Sequence, residues 1–200
     1  GLSSLNVSGT SQLDGGSITS TGTQTYQGAV TQTVDSILTA SLVTFNNTFA
    51  GGSNSLAIVG NADFDGAVSG LATLNVSGTT QLDGGSVTST GTQTYQGAVT
   101  QSVDSTLTGS LVTFNSSFAG GSRALSIVGN ADFDDTVSGL SSLNVSGTTQ
   151  LDGGSITSTG MQTYQGAVTL GVDNILTGNS VSFDNTVDGA YDLSVDMSGT

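Results

Sequence analysis

The chain contains no proline, cysteine, tryptophan, histidine, lysine or glutamate, and Arg123 is its single basic residue. The lack of cysteine rules out disulfides. The lack of both cysteine and histidine also excludes the usual zinc sites and any Ser–His or Cys–His nucleophile. The formal net charge is −14, so phosphates cannot be neutralised, which excludes nucleic-acid partners and anionic membrane surfaces. No apolar run approaches the ~20 residues of a membrane helix, and we expect no membrane insertion.

The residues that are present favour strands and turns. Threonine, valine and the aromatic residues suit strands, while glycine, asparagine, aspartate and serine suit turns. Good helix formers are scarce, since glutamate and lysine are missing altogether. The composition therefore predicts an all-β fold.

A long repeat accounts for the whole chain. The phrase "GTQTYQGAVT" begins at Gly22 and again at Gly91, and "GMQTYQGAVT" begins at Gly160, so the copies recur at one constant interval. We interpret the chain as one continuous array over residues 1–200, with repeats at 1–69, 70–138 and 139–200, the third incomplete and divergent. Fixed repeats of this kind are typical of stacked architectures.

A shorter unit lies inside each repeat and pairs an aromatic residue with an apolar residue four positions later. Partners four apart face the same side of a strand. Successive aromatic residues are separated by 19, 19 and then 31 positions, and a stride of 19 suits one coil of a β-solenoid. The longest interval holds either one coil with an excursion or two short coils, which gives about 3–4 coils per repeat. The pairs are Tyr26/Val30, Phe45/Phe49, Phe64/Val68, Tyr95/Val99, Phe114/Phe118, Phe133/Val137, Tyr164/Val168 and Phe183/Val187.

The residue after each aromatic rotates through glutamine, asparagine and aspartate. Gln27, Asn46 and Asp65 show this order in the first repeat. Stacked amides can form hydrogen-bonded ladders, and like charges on neighbouring strands are destabilising. The rotation predicts amide ladders in which the carboxylates are kept apart.

A string of small β-sandwich domains is the competing architecture. One repeat is short for an immunoglobulin-like sandwich, which has about 100 residues. The shorter stride between aromatic residues also has no natural place in a sandwich. Stacked coils, in contrast, pair every strand with the coils above and below it. The pattern favours a parallel β-solenoid.

Two acidic phrases are the candidate metal sites. "GNADFDG" at residues 60–66 carries Asp63 and Asp65, and "GNADFDD" at residues 129–135 carries Asp132, Asp134 and Asp135. Clustered carboxylates suit calcium. The ligand spacing of an EF-hand is missing, however, so solvent-facing turn acids are the preferred interpretation and calcium is the alternative. The recurring "LDGG" phrase is interpreted as a turn. No residue is a candidate for catalysis, and we expect neither an enzyme nor any cofactor other than calcium.

Residues 163–195, "TYQGAVTLGVDNILTGNSVSFDNTVDGAYDLSV", and the phrase "QLDGGSITSTG" resemble the repeats of filamentous-haemagglutinin-like and autotransporter-adhesin-like bacterial surface proteins. The resemblance implies a right-handed parallel β-helix that is exported to the cell surface or medium. It also implies a structural segment of a longer protein that serves adhesion, biofilm matrix or filament assembly. An adhesin-type module that recognises glycans or surfaces, assisted by calcium, is the alternative. The expected partners are further copies of the chain, associated end to end or laterally, and glycans or surfaces.

Overall fold

The computed structural model describes residues 1–197, and these residues form 27 β-strands and no helix. No segment of the described chain is therefore a helix that could span a membrane. All named strand pairs are parallel, which confirms the prediction of an all-β parallel solenoid. The described chain makes about ten turns.

The strands follow one another at intervals of only a few residues. Those of the first repeat are β1 (Leu5–Val7), β2 (Ser11–Leu13), β3 (Ser17–Thr19), β4 (Thr23–Tyr26), β5 (Val30–Gln32), β6 (Ser36–Phe45), β7 (Phe49–Ala50), β8 (Leu56–Phe64) and β9 (Val68–Leu71). Those of the second are β10 (Leu74–Val76), β11 (Thr80–Leu82), β12 (Ser86–Ser89), β13 (Thr92–Tyr95), β14 (Val99–Gln101), β15 (Ser105–Phe114), β16 (Phe118–Ala119), β17 (Ala124–Phe133) and β18 (Val137–Leu140). Those of the third are β19 (Ser142–Val145), β20 (Thr149–Leu151), β21 (Ser155–Ser158), β22 (Met161–Tyr164), β23 (Val168–Leu170), β24 (Asn174–Gly178), β25 (Ser180–Phe183), β26 (Val187–Asp188) and β27 (Leu193–Met197).

Each turn contributes three strand segments, which stack on those of the next turn in three columns. Paired residues are 18 to 20 positions apart, as in Tyr26 with Phe45 and Phe64 with Leu82. Four strands (β6, β8, β15 and β17) bend in the middle, so that each contributes its start to one column and its end to the next. The bend in β8 lies at Gly60, whose φ is 135°. The first column holds β1, β4, the ends of β6 and β8, β11, β14, β16, β18, β21, β24 and β27.

The other two columns follow in the same way. The second holds β2, β5, β7, β9, β12, the starts of β15 and β17, β19, β22 and β25. The third holds β3, the starts of β6 and β8, β10, β13, the ends of β15 and β17, β20, β23 and β26.

The sequence repeat is not a whole number of turns. From Tyr26 to Tyr95 the chain advances by eleven strand segments, which is three turns and two thirds of a fourth. The long interval from Phe64 to Tyr95 spans five segments, so it is neither one coil with an excursion nor two short coils. It is one turn and two thirds, because each side of a turn takes only six or seven residues.

The core is one continuous stack of apolar side chains that runs through the middle of the solenoid, between the three columns of strands. Tyr26, Phe45 and Phe64 stack on successive turns, with ring centroids 5.2 and 5.9 Å apart. Tyr95, Phe114 and Phe133 repeat the stack at 5.3 and 5.5 Å in the third column, and Tyr164 and Phe183 repeat it in the second. Offset aromatic stacks of this kind add to the free energy gained by burying the rings.

Candidate metal centre

Two aspartates from different repeats lie one above the other because the strands before them are paired. Phe64 at the end of β8 pairs with Leu82 at the end of β11, so Asp65 and Asp83 follow at the same corner. The Asp65 amide donates to the Phe45 carbonyl over 3.0 Å, and the Asp83 amide donates to the Phe64 carbonyl over 2.9 Å. Backbone hydrogen bonds thus fix both corners in register.

Asp63 completes a group of three carboxylates. Within β8 the side chains of Ala62 and Phe64 enter the core, so Asp63 between them faces outwards. One carboxylate oxygen each from Asp63, Asp65 and Asp83 lie within 4.8 Å of one another. Asp65 is exposed and the other two are partly buried, so the group opens to solvent on one side.

The same group recurs one repeat later. Asp132 and Asp134 from β17 and its following corner meet Asp152 after β20, since Phe133 pairs with Leu151. Their oxygens also lie within 4.8 Å of one another, with the same pattern of burial. We refer to the two groups as the first acid cluster (Asp63, Asp65, Asp83) and the second acid cluster (Asp132, Asp134, Asp152). Each cluster combines two acids from the end of one repeat with one from the start of the next.

The central acid of each cluster is hard to ionise. Burial raises the pKa of Asp63 to about 6, and the charges of Asp65 and Asp83 act in the same direction. Burial also raises the pKa of Asp132 to about 6, helped by the charges of Asp134 and Asp152 and by a hydrogen bond with Asp134. A bound cation would offset the free-energy cost of ionising these carboxyl groups, because it favours the charged form of every carboxylate around it.

Hydrogen bonds satisfy only part of each cluster. Gln81 Nε2 donates to Asp83, and Gln150 Nε2 donates to Asp152 Oδ1 over 2.8 Å. The Oδ1 atoms of Asp63, Asp83 and Asp132 are buried and accept no hydrogen bond from the described residues. Buried carboxylate oxygens normally have a partner, so these atoms are the part of the site that suits an added ligand.

The donor set fits calcium better than a softer metal. Calcium takes six to eight oxygen ligands, and three carboxylates with open access to water can supply such a shell. Nitrogen and sulfur ligands are absent from both clusters, which disfavours zinc and copper. Three carboxylates without a basic partner also carry enough charge to attract a divalent cation.

The structure brings together four of the five acids that the sequence singled out. Asp63 with Asp65 and Asp132 with Asp134 enter the clusters, whereas Asp135 lies outside them and accepts a hydrogen bond from the Thr136 amide over 2.6 Å. Asp83 and Asp152 are not among the acids that the sequence singled out, because their "LDGG" phrase is typical of a turn. Their distance from the other acids along the chain hides the contact.

The prediction that the carboxylates are kept apart is wrong. The prediction considered only the turn before Asp65, where Asn46 occupies the same corner. On the turn after Asp65, Asp83 lies at that corner. The predicted ladder is also replaced by a different amide pair, since Gln27 Nε2 donates to Asn6 Oδ1 over 3.1 Å. The same pair recurs between Gln96 and Asn75.

The fold defines this chain as a parallel β-solenoid repeat protein. Comparison with family models, with curated protein sequences and with solved structures yields no match. Its function is therefore inferred from the geometry of the solenoid and of the two acid clusters.

Proposed function

We propose that the chain is a structural segment of an extracellular bacterial surface or filament-forming protein, in which it acts as a stiff shaft. The observation that carries this proposal is the parallel stacking of strands, which continues from β1 to β27 through local register shifts at four of the strand pairs. The resemblance of residues 163–195 to bacterial surface repeats supports export and a role in adhesion, biofilm matrix or filament assembly.

Stiffness follows from the way the turns are joined. Strands within the stack donate and accept hydrogen bonds with the turns on both sides, and the aromatic rings stack along the same axis. Bending would have to open several hydrogen bonds on one side at once. Solenoids gain their stability from these contacts between neighbouring units.

The surface chemistry suits a shaft that is exposed to solvent outside the cell. A net charge of −14 keeps parallel rods apart unless divalent cations bridge them. Arg123 is the only residue after which a trypsin-like protease could cut. We expect the solenoid to wind to the right, as parallel strand crossovers almost always do. Lateral or end-to-end association with further copies is the expected mode of assembly.

The acid clusters favour a second candidate function, a binding module that recognises glycans or surfaces with the help of calcium. Asp63 also lines a groove with polar side chains, among them Asn61, Gln81 and Thr100. The corresponding groove of the first repeat is lined by Thr10, Ser11, Gln12, Ala29 and Thr31. A polar groove beside the first acid cluster, with a similar groove in the first repeat, would give such a module several weak contacts.

Small-angle X-ray scattering and electron microscopy test the shaft. About ten turns at ~4.8 Å each predict a rod roughly 48 Å long for this chain. A compact or flexible particle would overturn the shaft. Binding to a glycan array that depends on calcium, without formation of fibres, would favour the second candidate.

A further inference from the structure

Equivalent residues of the three repeats lie in three different columns. Tyr26 is in the first column, Tyr95 in the third and Tyr164 in the second. The cause is the advance of eleven strand segments per repeat, which is one segment short of four full turns. Each repeat therefore turns its surface by one third of a revolution relative to the repeat before it.

The three columns accept the same buried Gln–Tyr motif, and two of its hydrogen bonds recur in all three. The hydroxyl of Tyr26 donates to Gln24 Oε1 over 3.1 Å, and the corresponding bonds of Tyr95 and Tyr164 measure 3.0 and 2.9 Å. Gln24 Nε2 donates to Thr39 O over 3.0 Å, and Gln93 and Gln162 make the corresponding bond over 2.8 and 2.9 Å. No column is specialised for one motif.

We propose that the complete repeat, rather than a block of three whole turns, is the unit by which this rod can be shortened or lengthened without loss of its core. Removal of residues 70–138 joins Ser69 to Gly139 and leaves the "SGL" junction unchanged. Phe64 then meets Leu151 in place of Leu82, an identical neighbour. The rod shortens by about 18 Å at ~4.8 Å per turn, and every later surface turns by one third of a revolution.

Removal of the three whole turns between Tyr26 and Leu82 has the opposite effect on the core. Tyr26, Phe45, Phe64 and Leu82 occupy the same position on four successive turns, so Leu82 lies three turns after Tyr26. Excision of residues 27–82 therefore leaves every later strand in its own column. It also puts Tyr26 in the place of Leu82, against Gln101. A tyrosine ring then replaces a leucine beside a buried glutamine, which is a case of overpacking.

The experiment compares the thermal unfolding of the parent chain with that of two excised chains. The repeat-deleted chain lacks residues 70–138, and the turn-deleted chain lacks residues 27–82, so the repeat-deleted chain is the shorter of the two. We expect the repeat-deleted chain to unfold cooperatively, with the parent's circular dichroism per residue, and to melt at a higher temperature than the turn-deleted chain. A turn-deleted chain that melts at or above the repeat-deleted chain would overturn the proposal, as would a repeat-deleted chain without a cooperative transition.

The rotation has its own readout, since the chain has no cysteine and can be spin-labelled at chosen sites. Labels at Gln27→Cys and Gln165→Cys of the repeat-deleted chain should give the distance distribution that Gln27→Cys and Gln96→Cys give in the parent. A different distribution would contradict the proposal. This proposal rests on the proposed function as a shaft, and the two can fail separately. Scattering from a parent chain that is not elongated would overturn the shaft, whereas the melting temperatures and the label distances decide the unit of shortening.

Discussion

The hydroxyl of Tyr26 donates a hydrogen bond to Gln24 Oε1 over 3.1 Å inside the core, two residues away on the same strand. Gln24 is fully buried, and its Nε2 donates to the carbonyls of Ile18 and Thr39 on two neighbouring turns. The pair thus joins one column to the next through the interior. Because the glutamine and the tyrosine hydroxyl satisfy each other, both can be buried at little net cost.

Removal of the corresponding hydroxyl of Tyr95, which donates to Gln93 Oε1, should destabilise the chain although only one atom is lost. In Tyr95→Phe, Gln93 Oε1 loses the only hydrogen bond it accepts from the described residues, so we expect the free energy of unfolding to fall by about 1–2 kcal/mol. Urea denaturation measures the change. Tyr191→Phe is the matched control, since Tyr191 is 49% exposed, and it should have no effect. Equal stability of Tyr95→Phe and the parent would show that the hydroxyl is dispensable.

The acid clusters should make the chain less stable at neutral pH than at mildly acidic pH. The pKa of Asp63 and that of Asp132 are raised from 3.8 to about 6 in the folded state, so the folded chain binds these protons more tightly. The free energy that these two bound protons add to the stability of the folded chain is fully present below about pH 3.8 and is lost as the pH rises through 6. Both carboxyls are partly exposed, and solvent screening limits the effect to about 1 kcal/mol each.

Asparagine mimics the protonated acid, so the double variant Asp63→Asn, Asp132→Asn should be more stable than the parent at pH 7.5 and equal to it near pH 4. Thermal unfolding in the presence of a chelator measures the difference. Asp184→Asn removes an acid outside both clusters and is the matched control, which should not reproduce the gain in stability at pH 7.5. A difference between parent and double variant that persists at pH 4 would contradict the raised pKa values.

Calcium should stabilise the chain through the two clusters. At a free concentration 100 times the dissociation constant, each site would add about 2.7 kcal/mol to the free energy of unfolding. Asp83→Asn with Asp152→Asn should abolish the response, because each cluster then has two carboxylates instead of three. Asp135→Asn removes an acid that lies outside the clusters and should keep the response. A parent chain whose melting temperature is the same in calcium and in chelator would exclude the site.

The corners of the turns should tolerate no side chain where two glycines are stacked. A Cβ atom on Gly97 would lie 2.5 Å from the carbonyl carbon and oxygen of Gly78 on the preceding turn. We expect Gly97→Ala to lower the free energy of unfolding by about 1–3 kcal/mol, since backbone must move to relieve the clash. Gly15→Ala, where nothing lies within 4 Å of the added atom, should stay within about 0.5 kcal/mol of the parent in the same urea titration.

The fold could be predicted from the sequence because its signals are local. The pairs Tyr26/Val30 and Phe45/Phe49 mark inward positions on successive turns. The prediction that the partners of a pair share one strand is wrong, because a corner separates the end of β4 at Tyr26 from the start of β5 at Val30. The stride between the pairs matches the observed register of Tyr26 with Phe45. Side-chain alternation along a strand and the stride of a turn are both properties of short stretches of chain. Four of the five candidate acids were found for the same reason, since each pair lies within three residues.

The stride of one turn, the inward aromatic rings and the excess of negative charge were determined by the sequence alone. Only the tertiary structure decided that a repeat is three turns and two thirds, and that Asp83 belongs with Asp63 and Asp65. The physical reason is that neighbours across turns depend on the summed length of all the intervening sides and corners. Individual turns differ in length by one or two positions, and only stacking against the turn below fixes which length each one adopts.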